Sequence, residues 1–61
     1  PLWRALGRLS PRQRQAVALH HLAGFSHAEA AAVLGISHDA ARRASADGIT
    51  ALRNDMTRDE T

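Results

Sequence analysis

Apolar residues recur at spacings of three and four near the start of the chain, which is the period of an amphipathic helix. Leu2, Leu6 and Leu9 form this first stripe, and Trp3 lies beside it. The stripe predicts a short helix over about residues 2–7, with the indole of Trp3 covering the core. A helix of this length is marginal in isolation, so it must depend on packing against the rest of the chain.

The polar residues between the apolar positions predict where a second helix begins. Ser10 is a good N-cap, Pro11 suits the first helical position, and Gln13 stands where a capping box needs it. The helix should run from Pro11 to about Ala23, and Gly24 should end it in a left-handed conformation. The side chains available for burial on this helix are Val17, Leu19 and Leu22.

The same signals predict two further helices. Ser26 and Glu29 form a second capping box, which begins a helix over about residues 27–34 that ends at Gly35. Ser37 then caps a fourth helix, and the acidic Asp39 in its first turn suits the positive end of the helix dipole. We expect this last helix to run to about Arg53 and then to fray.

Composition agrees with an all-α fold. The 61 residues include thirteen alanines, two aromatic residues and no cysteine, and no strand pattern competes with the helices. A chain this short is one small domain, without room for a developed active-site cleft. No apolar run approaches the roughly 18 residues of a membrane-spanning helix. The chain begins at Pro1 without an initiator methionine, which is consistent with a piece of a longer protein.

Charge divides the chain into two parts. Residues 1–54 hold seven arginines against three acidic residues, whereas Asp55, Asp59 and Glu60 make the end acidic. We therefore predict a helical domain over 1–54 and an acidic, frayed tail over 55–61. A modestly basic body suits a phosphate-binding surface, although many solvated helical domains share this charge.

The last two predicted helices have the pattern of a helix-turn-helix, whose second helix lies in the DNA major groove. Ala31 provides a small contact where the helices cross, and Gly35 provides the turn. Apolar residues occupy the positions that face the domain: Ala30, Leu34, Ile36, Ala41 and Ala44. The outward positions are His27, Glu29, His38, Asp39, Arg42 and Arg43. The fold class we predict is therefore all-α, with four short helices and a helix-turn-helix formed by the last two.

The chain resembles the fourth conserved region of bacterial sigma factors, especially the extracytoplasmic-function group. The matching segments are Leu-Ser-Pro-Arg-Gln-Arg at 9–14, Leu-Ala-Gly-Phe-Ser at 22–26, Glu-Ala-Ala at 29–31, Leu-Gly-Ile-Ser at 34–37 and Leu-Arg at 52–53. The output domain of LuxR-type response regulators shares much of this pattern. Its segment before the turn is typically one residue shorter, so the spacing from Leu9 to Gly24 favours the sigma family.

The resemblance implies a module of transcription initiation that binds the promoter minus-35 element and docks on the flap of the RNA polymerase β subunit. Carried across by position, it implies DNA contacts from Ser37 and His38 at the helix start and from Arg42 and Arg43 one turn later. A solvated helix face with weak pairing to acidic neighbours is the alternative for the two arginines. The resemblance also implies a cytoplasmic protein.

Several positions depart from the family pattern and suggest a second function. Small or acidic residues replace the family's usual longer ones at Ala40, Ala41, Ala44, Ser45 and Asp47. Small residues could open an apolar groove, so the alternative is a protein-interaction domain that binds an anti-sigma factor or other regulator, with weak DNA binding.

The sequence favours neither an enzyme nor a metalloprotein. The four histidines at 20, 21, 27 and 38 include no pair spaced i, i+4 and no His-Glu-x-x-His motif, so we expect structural roles for them. Glu29 has no carboxylate or nucleophile at motif spacing, and its expected role is capping. Arg12 and Arg14 lie on a face as well suited to solvent as to phosphate. We expect no cofactor and no contact with a membrane.

Overall fold

The computed structural model describes residues 2–59, with the side chains of residues 2, 56, 58 and 59 outside the description. Its four α-helices are α1 (Leu2–Gly7), α2 (Pro11–Val17), α3 (His27–Leu34) and α4 (His38–Asp59). A π-helical segment, Ala18–Leu22, continues α2. Residues 2–59 contain no strand, and the prediction of an all-α fold is confirmed.

The caps lie where the sequence places them. Ser10 Oγ accepts a hydrogen bond from the Gln13 N–H at 3.3 Å, and the Gln13 side chain accepts one from the Ser10 N–H. Ser26 and Glu29 form the same reciprocal pair at 3.0 and 2.8 Å. Each box satisfies two amide groups that the first helical turn leaves unpaired, so α2 and α3 begin at fixed residues.

The turn between α3 and α4 depends on Gly35, which has φ of 71°. Its N–H and that of Ile36, at 3.0 Å, both donate to the carbonyl of Ala31. An ordinary residue is strained at this φ, whereas glycine adopts it readily. The chain therefore stops α3 and starts α4 within three residues, as the helix-turn-helix pattern predicts.

The end of the second helix differs from the prediction of one α-helix to Ala23. From Ala18 to Leu22 the backbone takes the wider π form, and the Ala23 N–H donates to the Ala18 carbonyl at 2.9 Å. The Phe25 N–H reaches the Leu19 carbonyl at 2.9 Å. Gly24 then ends the segment with φ of 80°, as predicted.

The apolar core lies where α1 and α2 pack on α4. Its buried members are Ala5, Leu6, Leu9, Val17 and Leu52. Two predictions about the core are wrong: the Trp3 residue is 79% exposed and Leu22 is 59% exposed. Ala5 and Leu6 form the buried side of α1, so Trp3 is left toward solvent. Buried alanines at 16, 30, 31 and 41 allow α2, α3 and α4 to approach closely and leave little room for a bulky side chain.

The last helix is longer than predicted. It does not end near Arg53 but continues to Asp59, giving α4 a length of 22 residues. Leu52 anchors this part in the core, and one turn later an Asp55 carboxylate oxygen lies 3.3 Å from the Arg8 guanidinium. The division into a 1–54 domain and a 55–61 tail stays a prediction, and residues 60 and 61 lie outside the described residues. No helix in the described part of the chain is both long and apolar enough to cross a bilayer.

Gly48 explains how α2 and α4 come so close. A Cβ at this position would lie 2.5 Å from Val17 Cγ2 and 3.3 Å from the Gln13 carbonyl oxygen. Val17 is 3% exposed and its branched side chain has little rotamer freedom, so it has no easy way to move aside. Glycine has low helix propensity, but at position 48 it provides a close contact that α2 requires.

We predict that Gly48→Ala destabilises the domain, although alanine raises helix propensity by about 1 kcal/mol. Overpacking of a core typically costs about 1–3 kcal/mol, and the Val17 contact places this site at the upper part of that range. The midpoint of thermal unfolding should fall by about 4–8 °C for each kcal/mol lost. Circular dichroism of the helical signal measures it.

The matched control is the double variant Val17→Ala with Gly48→Ala, which removes the Cγ2 atom that the new methyl group would meet. The loss of unfolding free energy in the double variant should be smaller than the sum of the losses in the two single variants. A rise in the unfolding midpoint of the single variant Gly48→Ala would show that α2 and α4 can accommodate a side chain at position 48.

Candidate nucleic-acid interface

The start of α4 is held by its cap. Ser37 Oγ accepts a hydrogen bond from the Ala40 N–H at 3.0 Å, which leaves the hydroxyl hydrogen of Ser37 able to donate outward. His38 is the first residue of the helix, and both residues are exposed. The remaining N–H groups of this first turn give the site a partial positive charge that favours an anion.

Two arginines follow on the outer side of α4. Arg42 and Arg43 are both exposed, as predicted. Arg42 Nη2 lies 3.3 Å from Asp39 Oδ1, with side-chain exposures of 65% and 78%. An ion pair this exposed is weak and easily exchanged for another anion. Arg43 makes no ion pair with any residue in the described part of the chain.

The inner side of the same helix fixes its position. Ala41 is 1% exposed, and it packs in the region where Ala30 and Ala31 of α3 are also buried. Ala41 stands where the sigma family has valine, so here a small residue faces small residues. The four residues predicted to contact DNA thus share the exposed N-terminal half of one helix, and their role in DNA binding stays a prediction.

The small residues that suggested an apolar groove do not open one. Ser45 is buried at 3% exposure and Ala44 is half-buried, so both help to fill the interior. Asp47 is exposed on α4. Ser45 also lines an open cleft, but every charged or titratable side chain lining that cleft is basic, so the cleft is not an apolar groove.

The four histidines come together in a way that the sequence did not indicate. The rings of His20 and His27 are stacked, with centroids 3.8 Å apart and planes at 17°. His21 lies edge-on to His20 at 4.7 Å, and the ring of His38 lies 6.4 Å from that of His27. We call these four residues the histidine cluster. They come from the π-helical segment, α3 and α4, so no single sequence spacing relates them.

Hydrogen bonding fixes one member of the cluster. His20 Nδ1 lies 2.8 Å from the Phe25 carbonyl, which can only accept, so this nitrogen carries a proton. The bond ties the π-helical segment to the start of α3. His27 is half-buried rather than outward-facing as predicted, because its ring packs on that of His20.

The cluster lacks the geometry of a metal site. No three histidine, aspartate or glutamate residues among those described are placed to hold a metal ion. Nitrogen lone pairs lie in the plane of each imidazole ring, so two stacked rings direct them within two nearly parallel planes that lie one above the other. They cannot converge on one ion without one ring turning.

Burial and nearby positive charge lower the pKa of His27. Desolvation is the largest cause, followed by His20, His38, His21 and Arg42. Glu29 is shifted for a different reason: the backbone N–H of Ser26, and then its hydroxyl, stabilise the carboxylate and lower its pKa. The first shift favours a neutral His27 ring in the folded protein, and the second keeps the α3 cap ionised in mildly acidic solution.

The shift in the His27 pKa predicts a loss of stability in mild acid. The unfolded chain binds a proton near pH 6.5 and the folded chain only at lower pH, so stability is full above pH 6.5 and decreases as pH falls toward the folded pKa. Between pH 7.5 and 5.5, in chloride, we expect the unfolding midpoint to fall. Glu29 does not contribute in this range, because its lowered pKa lies well below it.

The variant His27→Gln should show a smaller fall over the same interval, measured by circular dichroism. The matched control is His38→Gln, whose exposed ring lies at the edge of the cluster, and it should keep most of the fall. An unchanged pH dependence in His27→Gln would assign the effect to another group.

Comparison with known families identifies the domain. The family model described as sigma-70, region 4 matches residues 1–47, which include the helix-turn-helix and all four residues predicted to contact DNA. No curated protein and no solved structure matches the chain significantly. Region 4 is the DNA-binding region of sigma factors and is a transcription domain rather than an enzyme. With three quarters of its length matched and the expected helical architecture in place, the chain belongs to the sigma-70 region 4 family.

Proposed function

We propose that this domain recognises a promoter minus-35 element through the N-terminal half of α4. The observation that carries the proposal is the pair of exposed arginines one turn after an exposed, capped helix start. A major groove admits an α-helix, and arginine is the side chain best suited to guanine edges and to phosphate. Family membership supports the same reading, because region 4 binds promoter DNA.

Within this proposal the residues divide their roles. Ser37 and His38 meet the phosphate backbone at the helix start, where the helix dipole adds to the attraction. Arg42 exchanges Asp39 for a phosphate, and Arg43 reaches the groove or the adjacent backbone. Asp39 opposes binding, because its exposed carboxylate lies on the same turn and faces the same anionic surface.

The proposal extends to the polymerase and to the kind of sigma factor. Family membership implies contact with RNA polymerase. We propose that this contact is with the flap of the β subunit, supported by exposed apolar side chains such as Trp3 and Val33. We also propose that the domain belongs to the extracytoplasmic-function group, which the segments at 9–14, 22–26 and 34–37 resemble. Such a domain acts in the bacterial cytoplasm.

The alternative function, a docking domain for an anti-sigma factor, has less support. It depended on small residues opening an apolar groove in α4, whereas Ala44 is half-buried and Ser45 is buried beside a cleft lined by histidines and arginines. The exposed half of α4 carries charge rather than an apolar surface. We therefore adopt DNA recognition as the function.

The double variant Arg42→Ala with Arg43→Ala tests the assigned helix. Each phosphate contact lowers the slope of log K against log salt by about 0.9, so losing two should flatten it by about 1.8. At 0.1 M salt this corresponds to a loss of up to about 60-fold in affinity for promoter duplex. Fluorescence anisotropy at several salt concentrations measures both quantities.

The matched control is Arg12→Ala with Arg14→Ala, which removes the same charge from exposed positions on α2. It should keep the slope of the unchanged protein. Equal weakening by both double variants would mean that net charge alone drives binding, and an unaffected Arg42/Arg43 variant would reject α4 as the reading helix.

Asp39→Asn should strengthen duplex binding, because it releases Arg42 and removes a carboxylate from the DNA side of α4. The gain should be the same on promoter and unrelated duplexes, since a phosphate contact carries no sequence information. Anisotropy titrations on both duplexes measure it. Weaker binding confined to the promoter duplex would instead assign Asp39 a base contact.

A further inference from the structure

An open cleft of about 330 Å³ lies beside the recognition helix and shares only Arg42 with the DNA contacts above. One wall is formed by His20 and His21 of the π-helical segment and by His27 of α3. The other wall is the side of α4 that runs from Arg42 to Arg53. Since a helix rises about 1.5 Å per residue, the two arginines stand about 16 Å apart along the axis.

Every charged or titratable side chain that lines the cleft is basic. These are two arginines and three histidines, and no carboxylate is among the lining residues. Among the acidic groups of α4, Asp39 pairs weakly with Arg42 and offsets part of its charge, Asp47 is exposed, and Asp55 pairs with Arg8. His38 lies at the edge, nearest to His27.

The remaining residues of the cleft determine how this charge acts on a ligand. Ile49 and Ala46 contribute apolar surface, which excludes water and reduces screening of the groups around it. Thr50 donates its hydroxyl hydrogen to the Ala46 carbonyl at 3.0 Å, so its oxygen presents lone pairs rather than a donor. His27 Nδ1 is a buried polar atom without a hydrogen-bond partner in the described structure.

We propose that this cleft binds a doubly charged tetrahedral oxyanion of the phosphate and sulfate class. Arg42 and Arg53 supply permanent charge, and the histidines supply N–H donors once they are protonated. Uncharged ligands would gain little from such a lining, and a metal cation would be repelled by it.

A bound anion reverses the direction in which the surrounding charge shifts the histidine pKa. Without an anion, desolvation and then the positive neighbours of His27 lower its pKa, whereas a dianion between the walls stabilises the imidazolium form. Binding therefore takes up protons, and affinity increases as pH falls. Because the pKa of His27 in the empty cleft lies below its ordinary value, the gain in affinity between pH 7.5 and pH 5.5 should be about tenfold or more.

Sulfate is the appropriate probe, because it stays dianionic over this range whereas phosphate itself titrates. The full 61-residue chain is titrated with sulfate at pH 5.5 and 7.5, at constant ionic strength in chloride, and the histidine ring protons are followed by NMR. We expect saturable shifts in His20, His21 and His27, with affinity higher at pH 5.5 by about tenfold or more. The indole N–H of Trp3, which does not line the cleft and does not titrate, is the internal reference.

Arg53→Gln removes one wall charge far from the start of α4 and should weaken sulfate binding about tenfold, the value of one charge-assisted contact. Arg43→Gln is the matched control: it is an exposed arginine on the same helix, outside the cleft, and should leave sulfate affinity unchanged. Both positions are exposed, so both variants should keep the helical signal of the unchanged protein.

A DNA titration separates the sources of the anion and keeps this inference distinct from the proposed function. If Arg53→Gln also weakens promoter binding and flattens its salt slope by about 1, the natural ligand is a phosphate of the DNA backbone. If it leaves promoter binding unchanged, the ligand is a free phosphate or phosphate ester. Sulfate shifts that never saturate, that do not depend on pH, or that Arg43→Gln weakens equally would overturn the proposal, whatever the result with DNA.

Discussion

The close approach of α2 to α4 at Gly48 is the constraint on which the domain depends. A chain of this size buries little apolar surface, and its core is formed mainly by leucine, valine and alanine. Short distances between helices compensate for the small side chains, because dispersion contacts weaken quickly with a gap. Gly48 under Val17, and the buried alanines near α3, provide those short distances. The position of α4 is therefore set by residues that have almost no side chain.

Local signals were enough to predict most of the fold. Ser10, Ser26 and Ser37 cap the helices they were expected to cap, and Gly35 makes the turn between α3 and α4. These features depend on groups within three or four residues of each other, so a sequence shows them directly. The exposure of Arg42 and Arg43 follows from the same helical periodicity once α3 and α4 are placed.

Features that depend on distant contacts could not be predicted. The π-helical segment has no local cap or breaker before Gly24, and it determines where His20 and His21 lie. The histidine cluster then forms across three elements whose order in the sequence gives no common spacing. The predictions that Trp3 covers the core and that α4 ends near Arg53 were wrong for a related reason. Whether an apolar side chain is buried, or an acidic one is paired, depends on residues that are distant in the sequence. Arg8, in the turn after α1, pairs with Asp55 of α4.

The exposure of Trp3 has a practical consequence for studying the domain. It is the only tryptophan of the chain, and its side chain already faces water in the folded state. Its intrinsic fluorescence should therefore change little on denaturation and would be a poor measure of folding. The same position makes it a built-in optical reporter of any surface that covers α1, because an indole leaving water for an apolar contact changes its emission.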